Sequence, residues 1–343
     1  MNIFINTYGA YLHVKDEMFE IRVKPDPKAP YRVNHIAAHK IKSFLIGLGT
    51  SMSTNAIDLA MKHHIDIVIV NRQGMPLGRF WHAKLGSTTA IRKKQLEASL
   101  NEIGLHYVKK WVARKLEHQA DFIQDLRKNR PKMYEDLGAY QLKILGFWEK
   151  IKAAEGKNPA EVADKIRGWE GSAGRQYFAA LSLAIPSTFK FQGRSMRPAK
   201  DAFNACLNYA YGILYSRVEK SLMIAGLDPY LGFLHRDDYN LKSLVFDFIE
   251  PYRIYADKCV FWLFSRKKIK KSFFESFQAG ITLNKDGKQL LVESFQGYLE
   301  NTKRRLHGRN QTYANAMQME AHRFANELIE KEEDNDNMGD VRY

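Results

Sequence analysis

Thr54-Asn-Ala-Ile-Asp-Leu-Ala-Met-Lys-His-His64 runs directly into Ile65-Asp-Ile-Val-Ile-Val70, and this pair decides how the N-terminal end is read. The first piece carries Ala, Leu and Met on a helical spacing behind Thr54, whose hydroxyl can accept a backbone N–H as an N-cap. The second is mostly β-branched, which favours a pleated strand. Reading toward the N-terminus, residues 3–7, 10–14, 18–23, 35–38 and 41–46 are further strand-like runs separated by turn residues. On the other side a turn falls at Asn71-Arg-Gln-Gly74. These pieces predict a small β-rich domain.

After about residue 88 the hydrophobic period changes to that of a helix, with few glycines. Helices are expected over 90–100, 105–128, 133–152, 159–185, 199–225, 241–264 and 310–331. Pro159 suits a first helical turn, and Gly226-Leu-Asp-Pro229 marks a helix stop. Residues 280–288 read as a turn or hairpin. The chain is therefore expected to be α+β: a β-rich domain over 1–88, a larger, mostly α-helical domain over 89–330, and an acidic, mobile tail over 331–343. No internal repeat is present.

The 343 residues hold 53 Lys and Arg against 38 Asp and Glu, a formal charge of +15 that draws polyanions. Two cysteines, Cys206 and Cys259, exclude a disulfide framework and a thiolate metal cluster. The N-terminus lacks the pattern of a secretory signal, and no apolar run approaches the ~18 residues of a membrane span. A cytoplasmic protein is expected. Positive charge gathers at residues 92–94, 109–110 and 114–115, at Lys267, Lys268, Lys270 and Lys271, and at Lys303, Arg304 and Arg305, with aromatic residues nearby. Such clusters neutralise phosphates while aromatics stack on unpaired bases, although each can also be only a solvated helix face. No segment joins a basic face to a continuous apolar one, which argues against a membrane surface.

The usual signatures of P-loop, dinucleotide-binding, zinc-protease and serine-hydrolase chemistry are missing. Acids and an imidazole occur instead in three segments. Glu170 lies in Trp169-Glu-Gly-Ser-Ala-Gly-Arg-Gln-Tyr-Phe178, where small neighbours leave room beside a carboxylate and Arg175 offers a phosphate-binding fork or a helix-packing ion pair. His235 ends the glycine-containing run from Gly226. Asp247 and Glu250, three apart in Ser243-Leu-Val-Phe-Asp-Phe-Ile-Glu-Pro-Tyr-Arg253, are expected on one face of a helix that Pro251 ends or kinks. Two carboxylates and one imidazole suit Mn²⁺, and Mg²⁺ less ideally; the competing reading is a structural histidine and a buried ion pair or cap involving Arg253.

The ordered patterns Glu170-Gly-x-x-x-Arg-x-Tyr-Phe178, Asn204-Ala-x-Leu-Asn-Tyr-x-Tyr211, Ala225-Gly-Leu-Asp-Pro-Tyr-Leu-Gly-Phe-Leu-His235 and Leu244-Val-Phe-Asp-Phe-Ile-Glu-Pro-Tyr-Arg253 resemble the universal CRISPR-associated integrase of spacer acquisition, CRISPR-associated protein one. The likeness runs over about residues 1 to 330. It implies a β-sandwich-like N-terminal domain, a helical catalytic domain, a homodimer formed partly by the N-terminal domains, and a small ferredoxin-like adaptation partner. It also implies Glu170, His235 and Glu250 as ligands of Mn²⁺ or Mg²⁺, with Asp247 as a further acid of the catalytic site. Glu250 stands where some members have Asp. The implied reaction is transesterification, joining the 3′-hydroxyl of short double-stranded foreign DNA to a CRISPR repeat, with nuclease activity on branched or linear DNA. Arg175, Lys267, Lys268, Lys270, Lys271, Arg304 and Arg305 are the expected DNA contacts. A basic DNA-binding scaffold without catalysis, or a nuclease that uses water alone, are the rival readings.

Overall fold

The computed structural model describes residues 1–24, 26, 29–63, 65–71, 76–80, 89–235, 241–277, 280–306 and 308–329. The expected tail over 331–343, the boundary near residue 88 and most of the turn after Asn71 lie outside the described residues. The N-terminal runs form β1 (Asn2–Ile5), β2 (Tyr11–Lys15), β3 (Met18–Val23), β4 (Arg32–Ala37), β5 (Ser43–Gly47), β6 (Ser51–Met52), α1 (Thr54–Lys62), β7 (Asp66–Val70) and β8 (Pro76–Phe80). One sheet has the order β1-β5-β7-β8, parallel except for β8; the other has β4-β3-β2-β6, antiparallel except for β6.

Alternation along the strands explains why the two sheets share a core. Leu12, Phe19 and Ile21 from one sheet and Ile5, Phe44, Ile46 and Ile67 from the other belong to the same buried cluster, and the Phe19 and Phe44 rings meet edge-on at 4.9 Å. Between Phe44 and Ile46, Leu45 turns the other way into a small second cluster with Val68 and Val70. A strand buried on both faces reads as a continuous apolar run, as residues 44–46 do. The arrangement is the expected sandwich. The α1 cap is Ser53 and not Thr54: its backbone is extended and its hydroxyl accepts the Ala56 N–H.

The rest of the chain forms α2 (Thr89–Ala98), α3 (Glu102–Lys128), α4 (Tyr134–Lys152), α5 (Pro159–Ala184), α6 (Ala202–Ile224), α7 (Ser243–Phe248), α8 (Arg253–Ser265), the hairpin β9 (Phe274–Phe277) and β10 (Gly280–Leu283), α9 (Lys285–Asn301), the hairpin β11 (Lys303–Leu306) and β12 (Arg309–Thr312), and α10 (Tyr313–Leu328). Helices α3, α4 and α5 pack pairwise. Three expectations change. The stretch 241–264 is two helices joined by a 3₁₀ turn, Glu250–Tyr252, because Pro251 supplies no N–H to continue α7. The hairpin lies over 274–283, and the residues after it begin α9. The last helix starts at Tyr313, behind Thr312 as its cap.

Contacts divide the chain into two compact units. The first holds the strands through β8 with the described residues of Ser195–Ser216 and Trp262–Gln296; the second holds α2 to α5, the described residues of Arg217–Phe261, and those from Gly297 onward. No helix among the described residues is long and apolar enough to cross a membrane. Both cysteines are buried, and neither is part of a disulfide.

Candidate active site

Every acid and imidazole of interest lies in the second unit. Glu170 sits on the inward stripe of α5 that includes Val162, Ile166, Ala173 and Tyr177. Its side chain is 15% exposed. A Cβ at Gly171 or Gly174 would meet nothing, so the small residues beside it leave open space. On α3, Trp111, Lys115, His118 and Phe122 follow the 4-3-4 spacing of one helix face.

The Lys115 ammonium bridges two carboxylates, contacting Glu170 Oε1 and lying 2.5 Å from Glu250 Oε2. Glu250 Oε1 accepts a hydrogen bond from Arg253 Nε at 2.8 Å. Burial would raise the Glu250 pKa, but Arg253 and then Lys115 outweigh it and hold the carboxyl down at about 2. Burial would lower Lys115, and the charges of Glu170 and Glu250 outweigh that, keeping it above its ordinary value. The cluster is thus two anions matched by two cations.

His235 is placed by a different route. Gly226, at a φ of +81°, ends α6 and turns the chain into the loop that carries the histidine. Gln95, fully buried, clamps this loop: its amide nitrogen donates to the carbonyls of Asp228 and Leu231, and its oxygen accepts the Asp228 N–H. Asp247 holds the far end, accepting the N–H groups of Phe233, Leu234 and His235 and, at 2.6 Å, the His235 Nδ1–H. Burial lowers the His235 pKa, but the bond to Asp247, with the charges of Asp247, Glu250 and Glu170, raises it overall. The imidazole therefore feels both other acids. Phe233 stacks on Trp111 at 5.9 Å, which ties the loop to α3.

Asp247 and Glu250 do not share a helix face as expected. The chain turns between α7 and the 3₁₀ turn, so Asp247 addresses the His235 loop while Glu250 addresses Lys115 and Arg253. Nor are three His, Cys, Asp or Glu side chains gathered into a ligand shell among the described residues. Two facts of geometry account for this: Lys115 stands between Glu170 and Glu250, and the Nδ1 of His235 is engaged by Asp247. The donor set itself suits a hard divalent cation. Two carboxylates converge on one position already filled by a positive group, and the Glu250 side chain is 2% exposed.

A cleft of about 580 Å³ adjoins the 3₁₀ turn, with Pro251 in its wall and Lys109, Arg114, Lys152, Arg304 and Trp148 among its lining. His118 also lines it, and its Nδ1–H donates to the Pro251 carbonyl at 2.8 Å. Burial pushes the His118 pKa down to about 4, helped by Arg114 and Arg304 against the bond to Pro251, so the ring is neutral.

Of the expected DNA contacts, Arg304 points into this cleft and bonds the Tyr255 hydroxyl at 3.0 Å. Arg305 is exposed, and Arg175 is exposed and donates to Ser172 Oγ. Lys267, Lys268, Lys270 and Lys271 are exposed in the first unit, after α8. Sequence reasoning missed the roles of Lys115, His118 and Gln95. For the first two the signal was there: a lysine and a histidine inside the Trp111–Phe122 stripe. Gln95 carries no comparable signal.

A family model described as CRISPR associated protein Cas1 matches residues 3–297. The CRISPR-associated endonuclease Cas1 1 of Archaeoglobus fulgidus is 31% identical over 332 residues, covering 94% of each chain. Among solved structures, a casposase bound to its integration product superposes with a TM-score of 0.83 at 22% identity, over 97% of this chain and 91% of that one. A Cas6-RT-Cas1–Cas2 complex matches with a TM-score of 0.77 at 19% identity, over 97% of this chain and 35% of the other.

Proposed function

The chain belongs to the Cas1 family of CRISPR-associated proteins, and on that premise we propose that it is a divalent-metal-dependent DNA integrase and endonuclease of CRISPR adaptation. One observation carries the reading: Glu170 and Glu250 converge on a single buried cation position within electrostatic reach of a histidine whose Nδ1 is held by Asp247. Glu170, Glu250 and His235 would hold Mn²⁺ or Mg²⁺, with His235 offering Nε2 after Lys115 gives way. A divalent ion there supplies charge stabilisation for in-line displacement at phosphorus.

In the joining reaction the 3′-oxygen of the incoming strand bonds to phosphorus, the bond from phosphorus to the 3′-oxygen of the repeat breaks, and the departing oxygen ends protonated. Phosphoryl transfer of this kind uses no covalent enzyme intermediate, consistent with a site of acids and imidazole without a serine or cysteine nucleophile. Asp247 fixes the imidazole orientation, and Arg304 and Arg114 in the cleft, with the exposed Arg175, Arg305 and Lys267–Lys271 groups, hold backbone phosphates without reading sequence. The likeness to a casposase bound to integration product and to a complex containing Cas2 supports this reading and a Cas partner. A small ferredoxin-like protein as that partner and a second copy of the chain complete the proposal.

The test is strand transfer of short duplex DNA into a repeat-bearing plasmid with Mn²⁺ and the partner supplied. Glu170→Ala and His235→Ala should bind DNA as the native chain does and leave no joined product. Cleavage without joining by the native protein would favour the water-only nuclease. One observation favours the scaffold: Lys115 and Arg253 already neutralise both acids. A native protein inert with every divalent ion and partner would establish it.

A further inference from the structure

Lys115 has no part in the reaction described so far, yet it occupies the one place where Glu170 and Glu250 meet. We propose that its ammonium is a built-in competitor for the divalent cation, a counter-ion that closes the site until metal displaces it. The inference rests on the metal reading above and concerns this side chain.

The argument is one of charge. Glu170 and Glu250 bring two negative charges, and Lys115 and Arg253 bring two positive ones. Lys115 is 12% exposed and Glu250 2%, so excess charge there is screened little by solvent. Adding a dication with Lys115 still in place would leave two uncompensated positive charges in a nearly buried pocket, which such a site does not tolerate. Moving the ammonium out leaves Arg253 paired with Glu250 and one fewer positive charge beside the incoming ion.

Two further features make Lys115 the group that yields. Its ammonium meets Glu250 Oε2 as a compact point charge, whereas Arg253 is hydrogen-bonded to Oε1 through a planar guanidinium whose donors are fixed in one geometry. A lysine also reaches its partners on four flexible carbons, so the ammonium can swing away while α3 stays packed. Without metal, the same contact pairs Glu170 and keeps its charge from facing that of Glu250 unscreened. The lysine is thus a placeholder in the empty site and an obstacle to filling it.

The test is an Mn²⁺ titration of the full chain without DNA, followed by the electron paramagnetic resonance signal of free Mn²⁺ and by melting temperature. Lys115→Met keeps the stem and removes the charge. It should bind Mn²⁺ with a midpoint at least tenfold lower than the native chain, melt lower without metal, and regain more melting temperature on adding it. Adding Glu170→Gln to Lys115→Met should abolish the tighter binding. If Lys115→Met does not fold without metal, Lys115→Gln serves for the same comparison. Equal or weaker Mn²⁺ binding by the folded variant overturns the competition while leaving the metal reading intact. No Mn²⁺ binding by either protein overturns the metal reading, and the competition with it.

Discussion

His235 Nδ1 and Asp247 Oδ1 are 2.6 Å apart, and the same carboxylate receives the backbone N–H groups of residues 233, 234 and 235. One buried acid therefore fixes both the path of the loop and the ring orientation of the histidine at its end. Asp247→Asn replaces a four-bond acceptor with a group half of which is a donor, facing N–H groups it cannot satisfy. We expect a 10- to 100-fold fall in Mn²⁺ affinity and strand transfer, the range for partners that orient a ligand, and about 1–3 kcal/mol of lost stability. Strand-transfer rates and urea melts measure both. Transfer within twofold of native would show that the loop holds His235 unaided.

Gly232 makes that carboxylate's position possible. A Cβ there would stand 2.6 Å from Ser243 Cβ, 2.7 Å from the Ser243 carbonyl carbon and 2.9 Å from Asp247 Oδ2. Two of these contacts involve backbone or a buried, fully bonded group, so relief requires the loop to part from α7. Gly232→Ala is expected to cost about 1–3 kcal/mol by overpacking and to lower strand transfer along with Asp247→Asn. Thermal melts and the same transfer assay decide; an unchanged melting temperature would mean that the loop moves freely.

Much of this was legible in the sequence because the signals are local. Strand β3 runs over residues 18–23 as read, and Gly226 ends α6 with a positive φ. The misses have local causes too. Ser53 and Thr54 are both capable caps, and only the extended backbone at Ser53 selects it. Helix α9 was hidden by reading Asn284 as part of a turn, whereas its side chain accepts the Gly287 N–H and opens the helix. What no local pattern reveals is pairing across the fold: Lys115 stands out inside an apolar stripe, but its partners lie 55 and 135 residues away and nothing local names them.

Arg304 and Arg305 lie side by side on β11 but differ in setting. Arg304 is half-buried, lines the cleft beside Pro251 and bonds Tyr255, while Arg305 is exposed. Each phosphate contact contributes about 0.9 to the slope of log affinity against log salt on duplex DNA. Either alanine substitution is expected to reduce that slope by about one contact, but only Arg304→Ala should also lower stability, by about 1 kcal/mol, through the lost bond. Fluorescence anisotropy over a salt series, with melts alongside, separates the two. A slope unchanged in both variants would remove β11 from the DNA-binding surface.

His118 links the cleft to the acids, because its Nδ1–H donates to the carbonyl of Pro251, next to Glu250. Burial lowers its pKa from 6.5 to about 4, so between those values the unfolded chain holds a proton that the native chain does not. Stability then rises with pH across that window, and its share from this ring is lost as pH falls through it. At one unit per 1.36 kcal/mol the full effect is roughly 3 kcal/mol. His118→Gln keeps a donor for Pro251 and cannot titrate. The stability difference between native and variant should therefore shrink or reverse from pH 7 to pH 4 by about that amount, as urea melts at several pH values would record. A difference that stays constant across the window would mean that His118 carries its proton equally in both states.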